Sequence, residues 1–374
     1  MNKLFVFTIY FLSFVLDVTA GGKKGNDAKA KKLDIVFCLD LSGSTNGLIT
    51  DVRESLWHIV NQVNLLDPVP DFRIGLVGFS RPSFKLENAY VKVLCDLTSD
   101  FNQLSHEFYK LRPSVEQGDQ YVGAAINICV TKLNWTEDKG ATKIIYIVGN
   151  GTVGTNNNEY IKSCQLAVEH NIIVNAIYVM GKGNKAREMI GWYRIANLTN
   201  GFASEIAIGK KSPKYSKQVD FAALTQASRE LNKTYIYHGI LGYLKYIYNV
   251  EADSMSLNGS PTVFIERAYY KNTNLYKWSN SKWDMVDYLK STGMLPAMDD
   301  TLNIPDSLRN IPTEEIYNLV QDQKIKRQVI IKKIENIFKE NYPLQIHKQY
   351  VSGELKEENS FSGNVLIMLL KEWK

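Results

Sequence analysis

Asp40, Ser42 and Ser44 alternate along the segment Asp40-Leu41-Ser42-Gly43-Ser44, directly after the apolar run Leu33-Asp34-Ile35-Val36-Phe37-Cys38-Leu39. The run is far too short to span a membrane and reads as a buried strand. One carboxylate and two hydroxyls delivered in a turn at the end of such a strand are hard oxygen ligands. Mg²⁺ takes ligands of this kind, in sites that leave coordination positions to water or to a bound group. The competing reading is a turn that caps the next helix, but a cap uses one side-chain oxygen, not three. The segment therefore predicts a metal-assisted binding site before it predicts an enzyme active site.

Enzymatic constellations are sparse elsewhere. His58, His106, His170, His238 and His347 show no metal-ligand spacing on one helix. No Gly-x-Ser-x-Gly elbow surrounds Ser42 or Ser44. A Mg²⁺-dependent hydrolase using Asp40 as nucleophile would need a general acid and a phosphate cradle, and neither is visible. Gly149-x-Gly151-x-x-Gly154 matches the dinucleotide fingerprint and follows a strand. Thr155-Asn156-Asn157-Asn158 delays the helix that should receive the pyrophosphate, and the next strand ends at Met180-Gly181 without a ribose-binding acid.

The elements that must position Asp40, Ser42 and Ser44 alternate from residue 33 onward. Strands are predicted at 33–39, 72–79, 90–94 (at an edge), 143–148, 172–179 and 201–204. Helices are predicted at 48–63, 101–111, 122–133, 159–169, 186–198 and 221–231. Val52, Leu56, Ile59, Val60 and Val63 form one face of the first helix. Alternation of this kind builds an α/β, doubly wound, mainly parallel sheet with helices on both faces, in which ligands bind beyond the carboxyl ends of the strands. After about residue 233 the pattern changes. Residues 235–250 read as strand or helix, 253–268 as irregular, 313–340 as a long helix and 350–370 as a hairpin, giving a mostly helical C-terminal extension.

Composition narrows the class. The chain has 374 residues, 45% hydrophobic and 22% charged, which excludes wholesale disorder. Its formal charge of +5 is scattered and its 21 tyrosines are dispersed apart from a cluster at 235–248, so no nucleic-acid surface is expected. Lys3, the apolar run 4–16 and Val18-Thr19-Ala20 have the layout of a signal peptide over 1–20, with an uncleaved anchor as the other reading. Residues 21–32 form a Gly/Lys-rich tether. No later run reaches spanning length, so the mature chain is expected to be secreted, periplasmic or at the cell surface. Cys38, Cys129 and Cys164 fall among apolar neighbours and are expected as buried free thiols; a bridge from Cys95 is not assigned.

Asp40-Leu41-Ser42-Gly43-Ser44 resembles the metal-ion-dependent adhesion site of von Willebrand factor type A domains, which opens with Asp-x-Ser-x-Ser at the end of the first strand. The resemblance extends over about 33–239 and includes Asn171-Ile172-Ile173-Val174-Asn175-Ala176-Ile177, Gly191-Trp192-Tyr193-Arg194-Ile195-Ala196, Gly201-Phe202-Ala203 and Leu231-Asn232-Lys233-Thr234-Tyr235. These segments are similar to exported bacterial members. The resemblance implies that Ser42 and Ser44 ligate Mg²⁺ or Mn²⁺ directly and that Asp40 acts through water. Gln117-Gly118-Asp119 is similar to a bacterial subgroup whose glycine-rich loop ends in Asp, so Asp119 is the candidate fourth ligand, with helix capping as its other role. Asn150 stands where the family presents an Asp, and an amide holds a metal-bound water without supplying charge. The resemblance implies a non-catalytic protein-binding module in which a partner carboxylate completes the metal shell. A metal-free structural module is the alternative.

Overall fold

Strand β1 (Lys32–Asp40) is apolar on both faces: Leu33, Ile35, Phe37 and Leu39 enter one core, while Val36 and Cys38 enter another. Burial on two faces is what turns a strand into a near-continuous apolar run. Strand β2 (Asp71–Phe79) pairs with β1 in parallel, and β3 (Lys92–Thr98) closes that edge antiparallel to β2. On the other side β4 (Thr142–Gly149), β5 (Ile173–Met180) and β6 (Ala203–Ala207) continue in parallel, giving the order β3-β2-β1-β4-β5-β6. This is the predicted α/β sheet. The computed structural model describes residues 30–85, 89–114, 116, 121–153, 159–180, 186–209, 219–297, 303–338, 342–354 and 360–373. The predicted signal peptide, all but the last residues of the tether, and Asp119 lie outside them.

The edge strand starts at Lys92 rather than at residue 90. Ala89 and Tyr90 sit at positive φ, 49° and 57°, so the chain is still turning there and cannot pair. Helices α1 (Asn46–Val63) and α2 (Phe101–Lys110) cover one face of the sheet. Helices α3 (Val122–Lys132), α4 (Glu159–Glu169) and α5 (Ala186–Leu198) cover the other. All four cysteines are free and buried, and burial pushes the Cys95 and Cys164 thiols up to about 12.

Beyond β6 the chain is helical: α6 (Phe221–Asn232), α7 (Gly242–Gly259), α8 (Pro261–Asn272), α9 (Asn274–Asn280), α10 (Met285–Thr292), α11 (Thr313–Ile337), α12 (Tyr342–Ser352) and α13 (Phe361–Glu372). Two expectations fail here. Residues 253–268 are not irregular: they hold the end of α7 and most of α8. Ser260 accepts the Val263 N–H and Pro261 opens the next helix, so the apparent break is a stop and a restart. Residues 350–370 are not a hairpin. Phe361, Val365, Met368 and Leu369 recur at helical period behind a Ser360 cap, and this stripe is what the sheet side buries.

Helix α1 is buried on two sides. Its apolar stripe faces the sheet, while Trp57, His58, Asn61 and Gln62 face the helical extension. There the Trp57 indole donates to Ser256 (3.1 Å), His58 Nδ1 lies 2.7 Å from Glu266 Oε1, and Asn61 donates to Glu266 Oε2 (2.5 Å). Buried charges in the extension are paired: Arg267 and Lys271 with Asp253, and Arg327 with Asp284 and Asp287. Pairing is the condition for keeping such groups out of water. Helix α13 comes from the far end of the chain yet lies on the sheet face beside α1. Phe361 meets the Phe37 ring edge-on at 5.4 Å, and the Tyr146 hydroxyl donates to the Val365 carbonyl (3.1 Å).

If α13 is part of the sheet domain's core, Leu369→Ala should cost about 2–5 kcal/mol in urea denaturation, whereas Ile325→Ala on the exposed side of α11 should stay within about 0.5 kcal/mol. Burial raises the Glu372 carboxyl, at the end of α13, from 4.5 to about 7. The fold therefore keeps a proton there that the unfolded chain loses, so stability falls as pH rises between those values. Thermal melts from pH 5 to 8 should show Glu372→Gln losing less stability than the wild type across that window.

Candidate metal centre

Strand order places β2 on one side of β1 and β4 on the other, so the crevice expected at a reversal of strand order opens at the carboxyl end of β1. Register brings Leu39 opposite Val148 and Asp40 opposite Phe79. The side chains that leave the sheet after β1, β2 and β4 therefore meet at one edge.

Asp40 forms the floor of this edge and is wholly buried; its Oδ1 accepts the Ser42 N–H at 2.9 Å. The Ser42 and Ser44 hydroxyls lie 3.0 Å apart, and Ser44 Oγ donates to Asn150 Oδ1 at 3.1 Å. Ser42 is buried, while exposed Ser44 and half-buried Asn150 form the rim. Four residues singled out from the sequence are thus gathered at one point. The fifth, Asp119, lies outside the described residues. The segment leading to it reaches the site, because the Gly43 N–H donates to the Glu116 carbonyl at 2.9 Å.

Ser42 precedes the 3₁₀ turn Gly43–Thr45 and Thr45 precedes α1, and neither caps its helix through the side chain. Thr45 Oγ1 instead donates to the carbonyls of Asp40 (2.7 Å) and Ser42 (3.0 Å), which folds the loop onto the strand end. The donor set is one carboxylate, two hydroxyls and an amide oxygen. It suits a hard cation, with less charge than a site built from several carboxylates. Among the described residues no group of three or more His, Cys, Asp or Glu side chains could hold a metal.

Several supporting residues were not singled out from the sequence. Arg81 follows β2 and donates through Nε to the Leu41 carbonyl at 2.8 Å and through Nη2 to Arg112. The contact follows from strand order, since a residue just past β2 lies beside the end of β1 only once those two strands are paired. Asn46 and Ser114 exchange two bonds, at 2.7 and 2.8 Å, pinning the start of α1 to the loop after α2. Nothing local in the sequence announces that pair. The Ser83 amide and hydroxyl donate to Glu116 and hold its carboxyl below the usual range, whereas burial lowers the Arg81 guanidinium.

Gly149 is required for close approach. A Cβ there would lie 2.7 Å from the Asp40 Cβ and 3.0 Å from Trp192, whose indole donates to the Gly151 carbonyl at 3.0 Å. Gly149→Ala should therefore displace Asp40 and destabilise the protein by about 1–3 kcal/mol, read by chemical denaturation.

Residues 34–227, more than half of the chain, match the family model of the von Willebrand factor type A domain. No curated protein matches the sequence. Among solved structures, an aerotolerance-related membrane protein from Bacteroides fragilis is 17% identical, with a TM-score of 0.33 over 46% of this chain and 91% of that one. A von Willebrand factor type A protein from Catenulispora acidiphila is 11% identical, with a TM-score of 0.36 over 48% of this chain and 39% of that one. The pilus adhesin SpaC from Lactobacillus rhamnosus GG is 14% identical, with a TM-score of 0.36 over 47% of this chain and 29% of that one.

Proposed function

Because this chain belongs to the von Willebrand factor type A family, we propose that it is an exported, non-catalytic protein-binding module whose binding face is the carboxyl edge of β1 and β4. The observation that supports this most is that Asp40, Ser42, Ser44 and Asn150 converge there while neither Ser42 nor Thr45 caps a helix through its side chain. The family pattern assigns direct ligation of Mg²⁺ or Mn²⁺ to Ser42, Ser44 and Asp119, with Asp40 and Asn150 holding waters. A divalent cation here would supply an open coordination position for an acidic side chain of a partner protein. The chain's own residues preorganise that edge: Asp40 is fixed by the Ser42 amide, and the Thr45 hydroxyl ties the loop back to β1. The signal-peptide layout of residues 1–20 supports export. Among the described residues no helix is long and apolar enough to cross a membrane.

One observation favours a second reading, a metal-free structural module. Asn150 brings no charge, and Asp40 is the single carboxylate that the described part of the cluster contains. Calorimetric titration of the EDTA-stripped protein separates the two. The metal reading expects weak Mg²⁺ or Mn²⁺ binding that is lost in Ser42→Ala and tightened about tenfold or more in Asn150→Asp, which restores a ligand charge. No heat and no thermal shift in either the wild type or Asn150→Asp would leave the metal-free module.

A further inference from the structure

Three side chains in the helical part of the chain stand in an arrangement that an ion pair alone does not need. Asn232 ends α6, Asp253 lies in α7 and Lys271 in α8. The Lys271 ammonium donates to Asn232 Oδ1 at 2.6 Å and to Asp253 Oδ2 at 2.5 Å. Asn232 Nδ2 donates to that same Asp253 oxygen at 2.8 Å. Arg267 Nε holds the other oxygen, Oδ1, at 2.8 Å. The carboxylate is thus anchored on one side and bridges an amine and an amide on the other. Lys271 and Asp253 are buried, and the Tyr235 ring lies 5.4 Å from the ammonium.

Each contact suits an amide exchange. A carbonyl is about 1.2 Å long, so Asn232 Cγ lies within about 3.8 Å of the Lys271 nitrogen, close to the separation of a near-attack pair. Burial lowers the Lys271 ammonium to about 8, which makes the free amine, a nucleophile, accessible near neutral pH. Burial disfavours the charged form of Asp253, but Lys271 and Arg267 outweigh it and hold the carboxyl below its usual range. Asp253 therefore starts as a base, within hydrogen-bond reach of both reacting groups.

We propose that Lys271 and Asn232 join in an intramolecular amide bond, with Asp253 carrying the proton between them. Asp253 Oδ2 takes one proton from the Lys271 ammonium. The freed lone pair on Nζ forms a bond to Asn232 Cγ, and the carbonyl electron pair moves onto Oδ1. Asp253 then passes its proton to Nδ2 and takes another from Nζ. The pair on Oδ1 re-forms the carbonyl as the Cγ–Nδ2 bond breaks, and ammonia leaves. It departs as ammonium with the proton left on Asp253, which ends ionised as it began. No oxidant is consumed, and with all four cysteines free no disulfide does this work. The bond would join positions 39 apart in the chain and fasten α6, where the family match ends, to α8. It is independent of the binding face proposed above.

Mass spectrometry of the full chain tests this. The expected result is an intact mass about 17 Da below the sum of its residues, the loss of one ammonia. A tryptic digest should then contain residues 230–233 joined to residues 268–277, uncut after Lys271. Lys271→Arg and Asp253→Asn should each restore the full mass and separate the two peptides. The wild-type digest decides even where a variant fails to fold. A wild type at full mass overturns the proposal, because the three side chains are then an ion pair with an amide beside it. So does an ammonia loss that maps to an Asn-Gly pair such as Asn258-Gly259, with residues 232 and 271 in separate peptides. A link that survives in Asp253→Asn overturns the role given to Asp253.

Discussion

Strand β1 is hydrogen-bonded on both edges and covered by helices on both faces, and this enclosure decides where the protein can carry polar chemistry. A buried polar group needs a partner, so β1 stays apolar except at Asp34, which Arg73 holds through two bonds and the Thr136 amide through a third. Its one opening is its carboxyl end. Asp40 sits there with no solvent exposure of its own, and the next residues turn sharply enough to return two hydroxyls over it. Gly149 on the neighbouring strand leaves the space that the carboxylate fills. The edge is thus a consequence of sheet order before it is a sequence motif.

The helical extension bears on the same edge through α1. That helix carries Ser44's loop at its start, and it is clamped between the sheet and a polar layer made by Trp57, His58, Asn61 and Gln62 with α7, α8 and α12. Such a layer is demanding, because each member left without its partner would carry a desolvation cost. Helix α13 adds a second clamp beside α1, with Val365 and Leu369 fully buried over the sheet. A site built on a helix held on two sides is more rigid than one built on a free loop. The extension therefore contributes to positioning even though the residues it contributes lie far from Asp40.

What was legible in the sequence follows the range of the forces involved. Strands buried on both faces announce themselves as apolar runs, and the candidate segment Asp40-Leu41-Ser42-Gly43-Ser44 is contiguous, so the strands and the place where their ends converge could be read directly. The misreadings lie where local pattern is ambiguous. Gly259-Ser260-Pro261 resembles a loop but is the junction of two helices. The apolar run 365–370 resembles a strand until Phe361 and the Ser360 cap are counted with it. Arg81, Asn46 and Ser114 were missed because their partners are distant in sequence: Leu41 and Arg112 for Arg81, and Asn46 and Ser114 for each other. Such contacts exist only once the strand order is known.

Asn150 is better understood from the bond it makes than from the charge it does not carry. Its Oδ1 accepts the Ser44 hydroxyl and so ties the loop after β4 to the loop after β1. A carboxylate in its place would stand across Gly149 from the buried Asp40, and two like charges in so dry a setting repel unless a cation or a proton lies between them. The amide removes that repulsion, so the Ser44–Asn150 hydrogen bond can join the loops. A cation bound as proposed would have to compete with the Ser44–Asn150 bond and would gain no charge from Asn150 in return. An amide at this position therefore removes a repulsion and adds a bond between the two loops, and both effects favour their closure.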